Sequence, residues 1–314
     1  MFIGFAATAA GPFELPEKNR PPQRQLRLSQ AWRLAPPNGE RFDASGLLRL
    51  PEGSLLTLND KRAGVYRIEL PTSGEVAQLI LQPGIFSASA LDQAAGKKAR
   101  VYDLEGLSRD AKGRLYTCDE ASRLVFRYDP SSQQTDALIL DWSPVKRWFS
   151  REGNASWEGI AIGGDQLFLA NEREVGRIVV ASLSTSTVTG SFSVSPPDRP
   201  ARDIHYSDLC WYEDRLWVLC RESHCVLKVD PADERVEAVY GYAHIERDPK
   251  VGYLNPLPYG FVEGLALSPE GVWLAVDNNG IGRIAAPQDL RPSLWKCELP
   301  APLPEKKSGL SRPK

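Results

Sequence analysis

Two serines and three glutamates recur along this chain at intervals that suit one shared site. Ser45, Glu105, Glu158, Ser207 and Glu263 follow one another at steps of 60, 53, 49 and 56 residues. Glycine comes next in four cases (Gly46, Gly106, Gly159, Gly264) and Asp208 in the fifth, and then Leu or Ile. A polar cluster follows each anchor: Asn59-Asp60, Asp119-Glu120, Asn171-Glu172, Arg221-Glu222 and Asp277-Asn278. Carboxylates and hydroxyls brought together from distant segments are hard oxygen donors. Crowded around one point, three carboxylates repel, and their pKa values rise unless a cation compensates. Calcium (Ca2+) takes six to eight such oxygens in flexible geometry; magnesium is the second choice, because it asks for a tighter octahedron. Zinc lacks the His or Cys cluster it needs. The plain alternative is an acidic channel filled with water.

Such convergence needs a repeat of supersecondary structure, and the motif supplies one. The steps fit the blades of a β-propeller with loop insertions. Turn glycines (Gly53, Gly113, Gly271) stand eight residues after Ser45, Glu105 and Glu263. Apolar or alternating runs come next, at 54–58, 114–118, 166–170, 215–220 and 272–276, and predict second strands. Third strands are expected at 64–70, 123–128, 176–183, 225–229 and 282–285, and fourth strands at 78–81, 136–141, 187–194 and 235–240. The fifth unit lacks a fourth strand. Residues 25–34 are expected to close the ring there, with 295–299 as the rival, which would remove an open sheet edge. The fold expected is therefore all-β: a single propeller of four-stranded antiparallel blades, five in number, with six as the alternative. A pair of β-sandwiches would not explain a motif that returns about every 50 residues. The propeller is expected over residues 25–299, after an extended arm at 1–24 and before a disordered tail at 300–314.

Bulk properties exclude little and agree with this reading. Of 314 residues, 42% are hydrophobic and 25% charged, and the net charge is −2. Nothing global points to nucleic acid or to an anionic membrane. No apolar run reaches the roughly 18 residues that cross a bilayer, and the chain reads as a monomer. The first ten residues are apolar but lack the basic start and the length of a secretory signal. A cytoplasmic location is the default, and an exported one applies if that stretch is a truncated signal. Five cysteines (Cys118, Cys210, Cys220, Cys225, Cys297) form no CxxC pair. They read as reduced; a Cys220–Cys225 bridge has no motif behind it.

In a propeller the first strand of each blade lines the axis. Its starting end and the end of the second strand share a face. The five anchors should then ring the axis at one depth, with the polar clusters as a wider ring. Leu104-Glu105-Gly106-Leu107 with Asp119-Glu120, and Trp157-Glu158-Gly159-Ile160 with Asn171-Glu172-Arg173, resemble the blade repeats of two bacterial propeller families. One is the SdiA-regulated family; the other is the phytase-like family named for its esterase-like activity. The order Ser, Glu, Glu, Ser, Glu also resembles the soluble calcium-activated nucleotidases (apyrases), five-bladed propellers with axial calcium. By that resemblance the metal ligands are Ser45, Glu105, Glu158, Ser207 and Glu263. The match is one of spacing and residue type only.

The loops between units carry the remaining candidates. Arg147, Trp148 and Arg151 in one loop, with Arg173 and Arg221 at strand ends, are candidates to bind an anionic or phosphorylated small molecule on the acidic face. Asp60, Glu120 and Glu172 are candidate general bases, and His205 a candidate acid or base near neutral pH. Basic loops are more often plain solvated surface, and a lone His more often a hydrogen-bonded loop residue. Trp148 and Tyr253 are candidates to stack on a ligand. No G-x-S-x-G elbow and no phosphate-cradling glycine loop occurs. Three functions stay open: a metal-dependent hydrolase of a phosphate ester, anhydride or other ester; a non-catalytic propeller that binds a ligand or protein; and a carbohydrate-active propeller with a carboxylate pair.

Overall fold

Hairpin after hairpin is what alternating apolar runs between turn residues produce, and the chain folds that way almost throughout. A computed structural model describes residues 20–98, 101–149, 156–172, 176–199 and 204–300. Two strands come first, β1 (Gln23–Gln25) and β2 (Arg27–Ala35). Four meanders follow. They are β3 (Ala44–Arg49), β4 (Leu55–Asn59), β5 (Arg62–Glu69) and β6 (Val76–Gln82); then β7 (Leu104–Arg109), β8 (Leu115–Asp119), β9 (Leu124–Asp129) and β10 (Gln134–Leu138); then β11 (Trp157–Gly163), β12 (Gln166–Asn171), β13 (Arg177–Ser182) and β14 (Thr187–Phe192); then β15 (Tyr206–Tyr212), β16 (Arg215–Cys220), β17 (Cys225–Asp230) and β18 (Arg235–Gly241). The last strands are β19 (Val262–Ser268), β20 (Gly271–Val276) and β21 (Ser293–Glu298). Helices are short: α1 (Ala88–Ala95) and α2 (Ala243–Glu246). None among the described residues is long and apolar enough to cross a membrane.

The first strands of these units touch in sequence: β3 meets β7, β7 meets β11, β11 meets β15, β15 meets β19, and β19 returns to β3. Each pair of neighbouring sheets encloses an apolar layer. Trp32, Leu47, Leu55 and Trp273 fill the one between β19–β20 and β3–β4, and Ile178, Phe168, Leu209 and Val218 fill the one between β11–β13 and β15–β16. The final unit is completed from the amino-terminal side. β2 pairs antiparallel with β21, Trp32 opposite Leu294, and then runs parallel to β6 through Arg33 and Val76. This is the closure expected for residues 25–34. The third strand of that unit is not at 282–285: residues 277–292 form a long loop, and the strand lies at Ser293–Glu298, over most of the segment taken as the rival closing strand. β1 adds a short parallel edge to β18. Residues 1–19 and 301–314, with the amino-terminal stretch and the expected tail, lie outside the described residues.

All five cysteines are free thiols, and Cys220 faces Cys225 across β16 and β17.

Candidate functional site

At each anchor the first strand breaks register against the second. The shifts fall between Ser45 and Leu47, Glu105 and Leu107, Trp157 and Gly159, Tyr206 and Asp208, and Val262 and Gly264. A bulge re-aims the side chains beside it, and it recurs at all five anchors, three of which are glutamates. Gly46 and Gly106 carry φ of +57° and +61°, where a β-carbon is strained. The same glycines let neighbouring backbones meet. A β-carbon on Gly46 would come within 2.8 Å of Gly106, one on Gly106 within 2.7 Å of the Ile160 amide nitrogen, and one on Gly159 within 2.6 Å of Asp208 Cα. Thr57 and Thr117, on the second strands, donate hydroxyl hydrogen bonds to the Gly46 and Gly106 carbonyls at 2.9 Å.

Asp208 replaces the glycine in the fourth unit and is wholly buried. Its carboxylate accepts the Leu209 and Leu265 amides, each at 2.8 Å. Burial pushes its pKa well above the ordinary range, while amide donors from Leu265, Leu209 and Leu47 pull the other way. These three residues belong to three different first strands, so one carboxylate ties β15, β19 and β3 together.

Above this belt lies a cleft of about 200 Å3 lined by Ser45, Asp60, Lys61, Asp103, Glu105, Glu120, Glu158, Glu172, Arg221, Tyr259, Glu263 and Asp277, among others. Second-strand ends bring the wider ring in by one repeated hydrogen bond. The amides of Asp60, Glu120 and Glu172 donate to the carbonyls of Asp43, Asp103 and Ser156, at 3.2, 2.9 and 2.9 Å. One carboxylate oxygen each from Asp60, Asp103 and Glu105 lies within 4.8 Å of the others, and the same holds for Glu120, Glu158 and Glu172. Ser45 donates a hydrogen bond to Glu105.

Eight carboxylates face two cations in this lining. Burial, reinforced by repulsion from Glu158, holds Glu105 well above the usual carboxylate range. Burial and then the Glu172 charge do the same to Glu158. Asp60 is pushed up to about 6 by burial, against the pull of Lys61. Burial raises Asp103, Asp277 and Glu263 as well. Lys61 lies 2.6 Å from Asp60 and 3.8 Å from Asp103. Arg221 pairs with Glu172 at 2.9 Å and with Glu263, under the ring of Tyr259 at 5.2 Å. Against the cost of burial, Glu263, Glu158 and Glu172 hold its guanidinium charged.

The chemistry of the donor set fits a hard divalent cation. Every acidic ligand offers oxygen, and Asp60 Oδ1 and Asp103 Oδ1 are buried without a hydrogen-bond partner among the described residues.

The structure gathers Ser45, Glu105, Glu158, Glu263, Asp60, Glu120, Glu172 and Arg221 as the spacing predicts. It does not gather Ser207, whose hydroxyl is buried outside the cleft lining with no hydrogen-bond partner among the described residues. His205 sits beside the cleft rather than in it, 2.6 Å from Glu222 and 3.9 Å from Glu172. Arg147 and Trp148 lie away from the lining: Trp148 packs on an apolar layer with the Arg177 guanidinium over its ring at 4.2 Å. Tyr253 is buried, with its hydroxyl donating to the Arg291 carbonyl at 2.6 Å, and so cannot stack on a ligand; Tyr259 of the same loop lines the cleft. Arg151 and Arg173 fall outside the described residues. Asp103, Lys61, Tyr259 and Asp208 were not singled out from the sequence. Asp103 had a signal, since it stands two residues before Glu105 as Asp43 stands before Ser45.

Solved structures with this fold include a glutaminyl cyclase from Myxococcus xanthus, 16% identical, with a TM-score of 0.59 over 89% of this chain and 98% of that one. A luciferin-regenerating enzyme is 10% identical with a TM-score of 0.44 over 82% and 78% of the two chains. A virginiamycin B lyase from Staphylococcus aureus is 11% identical with a TM-score of 0.41 over 81% and 66%. The first of these shows a shared propeller-type fold and no more. No curated protein matches the chain in sequence. The model of the phytase-like family, described as esterase-like activity of phytase, matches residues 43–280. That span runs from the first anchor strand to the loop beyond the last, so every carboxylate of the cleft lies within it, and the chain belongs to the phytase-like family.

Proposed function

We propose that this protein is a five-bladed β-propeller whose acidic cleft holds a divalent cation, calcium before magnesium, and hydrolyses an ester there, phosphate esters and anhydrides included. The blade count rests on the closed succession of β3, β7, β11, β15 and β19 and on the strand that β2 lends to the last unit. The observation that carries the reading is the pair of carboxylate triads within one cleft, with their oxygens 4.8 Å or less apart. The family's description supports an ester as substrate.

Asp60, Asp103 and Glu105, or Glu120, Glu158 and Glu172, would hold the cation. A bound calcium would supply Lewis acidity and charge neutralisation. The chain's own groups divide the proton work. Of Glu105 and Glu158, both buried and held above the usual range, the one outside the cation's triad would keep a proton that can pass to a leaving oxygen. Glu120 or Glu172 accepts a proton from water. Arg221, fixed between Glu172 and Glu263, neutralises charge that develops on the substrate's oxygens.

The test is a thermal melt with calcium, magnesium or chelator, on the protein and on Glu158→Gln, followed by turnover of carboxyl and phosphate esters. An ion that binds only the folded state raises the melting temperature. A calcium-specific rise, reduced in the variant, together with calcium-dependent turnover, is the expected result. A melt that no divalent ion shifts at millimolar concentration overturns the reading.

A second reading has one observation in its favour: the cleft is already satisfied in part by an ammonium and a guanidinium, from Lys61 and Arg221. A non-catalytic receptor for an amine-bearing ligand would use the same carboxylates. The glutaminyl cyclase that shares the fold makes a glutaminyl peptide the first amine to titrate. A melt shifted by that peptide but not by divalent ions selects this reading.

A further inference from the structure

The acidic cleft is small beside ordinary substrate sites. Its volume of about 200 Å3 holds roughly seven waters at ~30 Å3 each, below the roughly 300–1,000 Å3 of small-molecule sites. It can take an ion and a reacting group, so the rest of any ligand must lie next to it.

A groove of about 770 Å3 adjoins it, with Ala35, Pro36, Phe42, Ala286, Leu290 and Pro292 as its apolar lining. The two share a wall. Asn279 lines the cleft and Gly280 the groove. Arg41, also in the groove, lies 3.5 Å from where a Gly280 β-carbon would stand. Its Nε donates to Asp43 Oδ1 at 2.6 Å, and its charge is drawn towards Asp277 and Asp60 of the cleft. The guanidinium therefore stands at the junction.

The groove is built from the segment between β2 and β3 and the long loop between β20 and β21. Other units turn from second to third strand within a few residues: Asp60 and Lys61 alone separate β4 from β5. The long loop is held in shape. Asn278 Nδ2 donates to the Ile281 and Leu290 carbonyls at 2.6 and 2.9 Å, and Arg291 makes a two-point pair with Asp289 at 2.7 and 2.8 Å. Leu290 is nonetheless 54% exposed, an apolar side chain presented by an ordered loop.

We propose that this groove takes the apolar arm of the substrate, an acyl or aryl group, while the ester bond reaches over the shared wall to the carboxylates and Arg41 meets the oxygen at the junction. The substrate class is then an amphipathic carboxyl ester with a medium-length apolar arm. This rests on the proposed hydrolytic reading for the position of the reacting bond; the groove itself is tested separately.

The experiment compares p-nitrophenyl acetate with p-nitrophenyl octanoate, and acetate with octanoate in calorimetric binding. Each methylene moved out of water gains several-fold, so octanoate should win by at least about tenfold, through KM in turnover and Kd in binding. Leu290→Asp and Ala286→Trp should collapse that ratio, and Ile139→Asp, at an exposed apolar side chain outside the groove, should keep it. Equal acetate and octanoate values in the unsubstituted protein, or a preference that survives both groove variants, overturn the proposal. Octanoate binding that the variants abolish, without turnover of either ester, keeps the groove and overturns the hydrolytic reading alone.

Discussion

Gly106 lies where two constraints meet: a φ of +61° and a backbone neighbour only 2.7 Å from the place of a β-carbon. A left-handed conformation costs a substituted residue roughly 1–2 kcal/mol, and overpacking against a fixed backbone roughly 1–3 more. Gly106→Ala should therefore lose about 2–5 kcal/mol in urea unfolding, although it adds one methyl group. Arg221 gives a second prediction at this scale. Removing one partner of a buried pair leaves an uncompensated charge and costs roughly 3–5 kcal/mol. Arg221→Met should lower the melting temperature in chelator, because Glu172 and Glu263 then face each other without a cation. It should also enlarge the rise expected from the proposed calcium, since the ion would no longer compete with a guanidinium. Melts of both proteins across a calcium titration check both halves.

Among the elements, β2 carries the closure. Trp32 on it is 7% exposed and stacks on Trp273 of β20 at 6.0 Å. Trp32→Ala should cost about 3–5 kcal/mol, read as a shift in denaturant midpoint. Most elements could be placed from sequence because one motif packages an anchor, a close-packing glycine and a turn, and the bulge follows wherever that motif stands. The closing strand could be placed because a missing fourth strand and a homeless apolar run at 25–34 explain each other. The third strand of the last unit could not. Ile281 and Ile284 are the apolar pair that a short turn would make a strand, but the chain spends 277–292 on a loop pinned by the Asn278 amide and by the Arg291–Asp289 pair, among other bonds. Within the site, the periodic acids were legible because position repeats. Lys61, Tyr259 and the Asp208 carboxylate were not, since each acts through a contact between units that the motif leaves unspecified. Trp148 was misplaced for a related reason: an aromatic ring on a loop says nothing about which layer it covers, and here Arg177 covers it.

For the molecule as a whole, the axis has two unlike ends. Carboxylates gather at one; at the other a hollow of about 320 Å3 is lined by Arg49, Arg109, Trp211 and Tyr212. Between them the glycine belt and Asp208 draw the first strands into contact, so a ligand in the acidic cleft meets a floor, not a passage. The closure by β2 also sets an order of events during synthesis. The partner register joins Trp32 to Leu294, more than 250 residues later. At roughly 5–20 residues per second, β2 leaves the ribosome on the order of tens of seconds before β21 exists to receive it. Every intermediate in that interval has a Trp32 without its Trp273 partner and an unfinished rim, and holding such chains apart until the ring shuts is the task that a chaperone would perform for this fold.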